Sequence, residues 1–142
     1  MADRTANVTW TGSLMEGSGT IQSVDSGAFG PLDVSWAART EDHEGLTSPE
    51  ELIAAAHAAC FSMALSNGLA QAGSPPDRLE TSATVTFVPG TGITKSALTV
   101  RGLVPGMDEA AFVEAAEGAK ENCPVSKALA SVPEITLDAS LL

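Results

Sequence analysis

The chain has 142 residues, 44% of them hydrophobic, and 18 Asp and Glu against 7 Lys and Arg give a net charge of −11. That length builds one domain, residues 1–142, with its own core, and strong acidity without a basic cluster excludes nucleic acid as an expected partner. Tyr is absent and aromatics make up only 4% of the chain, which disfavours a stacking platform for bases or sugars. Met1-Ala2-Asp3-Arg4 leads into a polar stretch with no apolar signal core, so the expected compartment is the cytoplasm. Two cysteines in such a chain favour catalysis, redox sensing or plain burial over a disulfide scaffold.

Taken in order, residues 7–11 (NVTWT) and 20–24 read as short strands joined by the glycine-rich connection 12–19. A turn at 27–31 precedes 32–39 (LDVSWAAR), whose alternation predicts a third strand with Arg39 at its end. The acidic loop TEDHEGLT then delivers the chain to its longest periodic stretch, 48–73. Ser48, Pro49 and Glu51 form a helix-start signal of the capping-box type, and Gly73 before Pro75-Pro76 is a stop signal. No Asp, Glu, Lys or Arg occurs from Leu52 to Ala72, and a helix apolar almost all round is expected to be buried. His57, Ser62, Ser66 and Asn67 interrupt the run and no basic residues flank it, so a core helix is expected and no membrane.

Beyond the Gly-Ser-Pro-Pro break, residues 82–88 alternate as a half-buried strand, and 93–104 return as its partner across the Pro89-Gly90-Thr91-Gly92 turn. Asp108 caps a second helix bearing Phe112, Val113, Ala116 and Ala119 on one face. That helix breaks at Asn122-Cys123-Pro124, and Pro124 suits the first turn of a new short helix, 125–130, which puts Cys123 at or near its N-cap. Residues 135–141 read as a last strand. Strands, long helix, strands, helices and strand give an α+β domain of antiparallel strands around a long buried central helix.

The chemistry-bearing residues are few. Cys123 at a helix N-terminus sees the positive end of the dipole, which favours thiolate. Cys60 lies mid-helix on an apolar segment, where burial raises a thiol pKa, and as a lone cysteine it reads best as a small buried hydrophobe. His57 sits three residues before Cys60; a Cys–His pair is conceivable, but a packed, hydrogen-bonded histidine is the commoner arrangement. His43, His57 and the two cysteines lack the spacings of a zinc site, so no metal is expected. Glu51 serves the cap, leaving Glu50 without a structural role, and Arg39 reads either as a solvated charge with a weak partner or as a functional group.

SPEELIAAAHAACFSMALS around Cys60 and AKENCPVSKAL around Cys123 resemble the two signature segments of the OsmC/Ohr family, the osmotically inducible and organic hydroperoxide resistance proteins. The form AAHAACF is closer to the OsmC branch, and the family's order of elements runs through the whole chain. The resemblance implies an OsmC-like fold as an intertwined homodimer, and a thiol peroxidase without metal, haem, flavin or other cofactor. It assigns Cys60 as the peroxidatic cysteine, Cys123 as the resolving one, and Arg39 and Glu50 as the pair that activates the thiolate. The implied partners are an organic hydroperoxide, or hydrogen peroxide, and a dithiol reductant such as a lipoyl protein or a small dithiol. An alternative is a non-catalytic redox-sensing or small-ligand-binding protein on the same fold.

The homodimer also has a geometric motive. Glu50 and Cys60 are ten residues apart on one expected helix, about 15 Å of rise, and point in different directions. If both serve one site, the glutamate comes from a second copy of the helix.

Overall fold

The computed structural model describes residues 1–142, which form two compact units, Met1–Leu52 and Ile53–Leu142. In the first, β1 (Ala6–Thr11), β2 (Ser18–Val24) and β3 (Leu32–Val34) form an antiparallel sheet in the order β1-β2-β3. Gly19 lies opposite Trp10 in this sheet; a Cβ there would come within 2.6 Å of the indole, so only glycine lets the ring lie flat across the strand. The expected strand 32–39 stops early. Ser35 accepts a hydrogen bond from the Ala38 N–H at 3.0 Å and caps a helix, α1 (Trp36–Thr40). Ser-Trp-Ala-Ala fits the cap-plus-helix-former pattern as well as it fits strand alternation, and Arg39 therefore stands on a helix, not at a strand end.

The long helix α2 (Pro49–Gln71) begins in this unit. Ser48 Oγ accepts from the Glu51 N–H at 3.1 Å, as the capping box requires. The Glu51 carboxylate does not return to the cap N–H; it accepts the Thr47 hydroxyl at 2.7 Å. At the far end Gly73 is left-handed (φ 85°), and Ser74 N–H to Leu69 O with Gly73 N–H to Ala70 O closes a Schellman motif.

The second unit is built on β4 (Arg78–Val88) and β5 (Gly92–Leu103), an antiparallel hairpin, with β6 (Glu134–Leu141) on the other edge of β5. Here one pairing departs from the expected antiparallel sheet: β6 runs parallel to β5. Parallel neighbours need a long crossover, and α3 (Glu109–Asn122) with α4 (Pro124–Ala128) supplies it. Alternation along β5 turns Ser96, Leu98, Val100 and Gly102 inward. From α2, His57, Phe61, Leu65 and Leu69 are fully buried, a spacing of four that keeps one helical stripe. Phe61, Leu65 and Leu69 join Leu98, Val100, Phe112 and Ala116 in one core, each large side chain contributing about 1.5–3 kcal/mol.

The expected burial of α2 on all sides does not hold within one chain. Opposite the buried stripe, Ala55, Ala59 and Met63 are exposed, Met63 at 72%. Uniform apolarity left the sequence without a signal for which face meets the core. By length and mean hydropathy α2 also matches a membrane span, but its stripe is packed with β5 and α3 as a core helix would be.

Candidate functional site

The candidate side chains fall into two groups, one in each unit. In Met1–Leu52, Arg39 stands in the last turn of α1 and Glu50 in the first turn of α2. Arg39 Nη2 donates to Glu50 Oε1 at 2.8 Å, and Nε donates to both carboxylate oxygens at 3.0 and 3.1 Å. A guanidinium gripped side-on through two nitrogens is fixed in orientation as well as in charge. The carboxylate is 9% exposed and the guanidinium side chain 28%, so the pair is shielded without being fully desolvated. The Trp36 ring lies beneath the guanidinium at 5.8 Å, a cation–π contact. Sequence reasoning paired these two residues but missed Trp36, whose three-residue spacing from Arg39 becomes visible only once 36–40 is known to be helical.

In Ile53–Leu142, α2 presents Cys60 one residue before the buried Phe61, and the α3–α4 junction presents Cys123. Cys123 is at once the C-cap of α3, its N–H bonded to Ala119 O at 2.8 Å, and the N-cap of α4, with Pro124 at the first helical position. Pro124 cannot continue α3 and suits the start of α4, and this fixes where the sulfur sits. The two thiols are free and near enough for each to influence the other's ionisation. Their surroundings differ. Cys123 is completely buried, whereas Cys60 is half-buried and lines a cleft of about 810 Å³ between α2 and α3. Met63, Ala64, Asn67, Ala115 and Gly118 form much of its wall, giving an apolar surface with amide groups at its rim.

The charge preference runs opposite to the exposure. Burial pushes the Cys60 thiol up, the Val125 N–H pulls it partly back, and the hydrogen bond and charge of Cys123 push it up further. Burial opposes charge on Cys123 too, but the Ser126 N–H, the Cys60 thiol, the Ser126 hydroxyl and the Val125 N–H together outweigh it. Cys123 therefore lies below the ordinary thiol value. Its sulfur makes no side-chain cap hydrogen bond; the N–H groups at the start of α4 favour its charge. Of the two sulfurs Cys123 is thus the more readily ionised, as the N-cap position of Cys123 led the sequence to anticipate.

His57 is the packed, hydrogen-bonded histidine expected from its apolar setting. Its ring is fully buried, with Nδ1 2.7 Å from Ser96 Oγ on β5 and Nε2 2.8 Å from Ser126 Oγ on α4. Both nitrogens are thereby occupied, which removes the conceivable Cys60–His57 pair. Sequence reasoning missed the two serines, which lie 39 and 69 residues from the histidine and carry no local signal. Burial lowers the His57 pKa, so the ring is neutral at physiological pH.

Residues 41–138 match the family model described as OsmC-like protein. Peroxiredoxin OsmC of Escherichia coli is 44% identical over 135 residues, 93% of this chain and 92% of the relative, and Peroxiredoxin OsmC of Shigella flexneri matches to the same extent. Among solved structures, the organic hydroperoxide resistance protein OhrB of Bacillus subtilis superposes with a TM-score of 0.64 at 27% identity, covering 97% of this chain and 98% of that one. An organic hydroperoxide resistance protein of Elizabethkingia anophelis gives 0.70 at 24% identity, with 97% and 96% covered; that likeness is one of fold. The two cysteine segments, the α+β fold with its long cysteine-bearing helix and the identity over nearly the whole length agree: this chain is a member of the OsmC family.

Proposed function

We propose that the protein is a cysteine-based hydroperoxide reductase in which Cys60 attacks the peroxide and Cys123 resolves the product. The observation that carries this reading is the asymmetry of the two neighbouring thiols: one opens onto an apolar cleft and the other is sealed in the core. A hydroperoxide with an organic tail can reach Cys60 and cannot reach Cys123. Access therefore decides the order of reaction, although Cys123 is the more acidic thiol.

The Cys60 thiolate attacks the terminal oxygen of ROOH and the O–O bond breaks. The alkoxide leaves and takes up a proton as ROH, while Cys60 becomes a sulfenic acid. The Cys123 thiolate then attacks the Cys60 sulfur; hydroxide leaves, is protonated to water, and a Cys60–Cys123 disulfide remains. An external dithiol reduces it by exchange and ends as a disulfide itself. Arg39 lowers the Cys60 pKa and polarises the peroxide, and Glu50 holds the guanidinium in register. The partner in this scheme is a second copy of the chain, which lends the Arg39–Glu50 pair to each Cys60 site. Support comes from the ten-residue spacing of Glu50 and Cys60 and from the exposed Ala55, Ala59 and Met63 face of α2. A cytoplasmic setting, where dithiols are kept reduced, belongs to the same reading.

Steady-state consumption of an organic hydroperoxide with a dithiol in excess tests it. Many turnovers per chain are expected. One equivalent consumed without turnover overturns it in favour of a redox sensor, and no consumption overturns both.

A further inference from the structure

A buried hydrogen-bond chain runs through the second unit, from Ser96 on β5 through His57 on α2 to Ser126 on α4. Every member is buried and no buried polar side-chain atom is left without a partner. Ser126 is the third helical residue of α4 and Cys123 its N-cap, so the Cys123 side chain lies over the N–H of Ser126's turn, and the Ser126 hydroxyl is among the groups that favour charge on Cys123. The chain of hydroxyl, imidazole and hydroxyl therefore ends beside Cys123.

A neutral imidazole has one donor and one acceptor nitrogen, and a serine hydroxyl has one proton. Two arrangements follow. If Nδ1 carries the proton, it donates to Ser96, and Ser126 must donate to Nε2; the Ser126 oxygen then turns its lone pairs to Cys123 and favours a thiol there. If Nε2 carries the proton, it donates to Ser126 Oγ, and the Ser126 proton is released toward Cys123, where it favours a thiolate. Ser96 then donates to Nδ1, so every group is satisfied.

We propose that His57 is a positioning residue for the resolving step: Nε2–H holds Ser126 so that its hydroxyl proton points at Cys123 as that sulfur attacks. The proposal rests on Cys123 being the resolving thiol of the reaction above. It has a specific moment of action. Once Cys60 is a sulfenic acid, Cys123 must give up its proton to attack, and the start of α4 with the hydroxyl that His57 orients favours that loss. No proton passes through the ring; its burial keeps it neutral throughout. The other titratable groups around Cys123 are Cys60 on α2, Lys120 and Glu121 on α3, and Lys127 on α4. Lys95 and Glu134 on the neighbouring strands pair with each other at 2.6 Å.

The test uses the full-length chain carrying Cys60→Ala, so that Cys123 is the sole thiol and its thiolate absorbance is titrated directly. Ser126→Ala and His57→Leu should each raise the midpoint by about one pH unit, a tenfold loss of thiolate at neutral pH. His57→Gln, whose amide N–H takes the place of Nε2–H, should restore the parental midpoint. In chains that retain Cys60, the same two losses should prolong the life of the Cys60 sulfenic acid, read by dimedone capture. An unmoved midpoint in Ser126→Ala with a native melting curve overturns the proposal. So does a His57→Gln midpoint displaced as far as that of His57→Leu, which would mean the histidine only fills space. The titration needs no peroxide, so a protein without turnover would sink the peroxidase reading while the midpoints still decided the role of His57.

Discussion

Oxidation of the cysteine pair should stabilise the fold by an amount the sequence separation sets. Cys60 and Cys123 lie near enough in the reduced protein to influence each other's ionisation, so the bond should form with little movement of α2 and the α3–α4 junction. What it changes is the unfolded chain, in which it closes a loop of about 60 residues, worth about 4 kcal/mol in the chain-entropy account. For a chain of this size that is a rise in melting temperature of about 8–16 °C. The assay compares thermal melts of dithiol-reduced protein and protein treated with one equivalent of organic hydroperoxide, with non-reducing peptide mapping to place the bridge. Cys123→Ser, treated identically, should not shift. An intrachain Cys60–Cys123 bridge with no rise in melting temperature would refute the reasoning, since it would mean that the contact is strained when bonded; bridges only between chains would refute the pairing itself. The same stabilisation makes the disulfide harder to reduce by on the order of 90 mV. That favours a dithiol that cyclises on oxidation over a monothiol as the recycling partner.

Cys60→Ser should abolish turnover, while Cys123→Ser should react once and hold a sulfenic acid that dimedone labels on Cys60; label on Cys123 in the Cys60→Ser chain would reverse the roles. Glu50→Ala strips Arg39 of its carboxylate and should cost about 1–2 kcal/mol in denaturant melts, below the value for a sealed pair because Arg39 keeps some solvent. Mixed Cys60→Ser and Glu50→Ala chains should regain activity above either parent after subunit exchange, and confirmed heterodimers without recovery would rule out a shared site. Burial holds the His57 pKa below its ordinary 6.5, so the unfolded chain binds the extra proton first. Stability should be full above that value and fall as pH drops through it toward the folded pKa, and His57→Gln should be flat over the same interval. Gly102→Ala would place a Cβ 2.5 Å from the Phe112 ring and should destabilise by about 1–3 kcal/mol, with Phe112→Leu in the same chain recovering part of the loss.

The elements that the sequence disclosed are those whose signals are local. Ser48, Pro49 and Gly73 bracket α2, Asp108 caps α3 by accepting from the Ala111 N–H, and Pro124 starts α4 where it lies. Strand 32–39 failed because Leu32, Val34, Trp36 and Ala38 alternate as a strand would, while Ser35 was an unweighed cap. The parallel seat of β6 was not legible, since nothing in EITLDASL states which edge of β5 it joins or in which direction. For the site, the two cysteine segments announced themselves, and the N-cap argument for Cys123 agrees with its lowered pKa. Ser96 and Ser126 were invisible because a serine in a strand and another in a short helix look like any others. Only the fold brings both within hydrogen-bond reach of His57.

In one chain Cys60, the attacking thiol of the proposed scheme, is held above the ordinary thiol value, and the buried Cys123 lies below it. A chain in that state is protected from oxidation at its acidic sulfur and slow at its accessible one. A guanidinium brought to Cys60 would reverse this balance and leave the proton on Cys123, because a nearby positive charge lowers a thiol pKa against burial. Arg39 held side-on by Glu50 suits that role, because its charge is permanent and its orientation is fixed before any substrate arrives. Once Cys60 has been oxidised, the requirement inverts, and Cys123 must lose the proton it was given. The Ser126 hydroxyl and the N–H groups at the start of α4 favour that loss. In the proposed scheme attack and resolution thus call for opposite charge distributions on one pair of sulfurs, the first assigned to Arg39 and Glu50 and the second to His57 and Ser126.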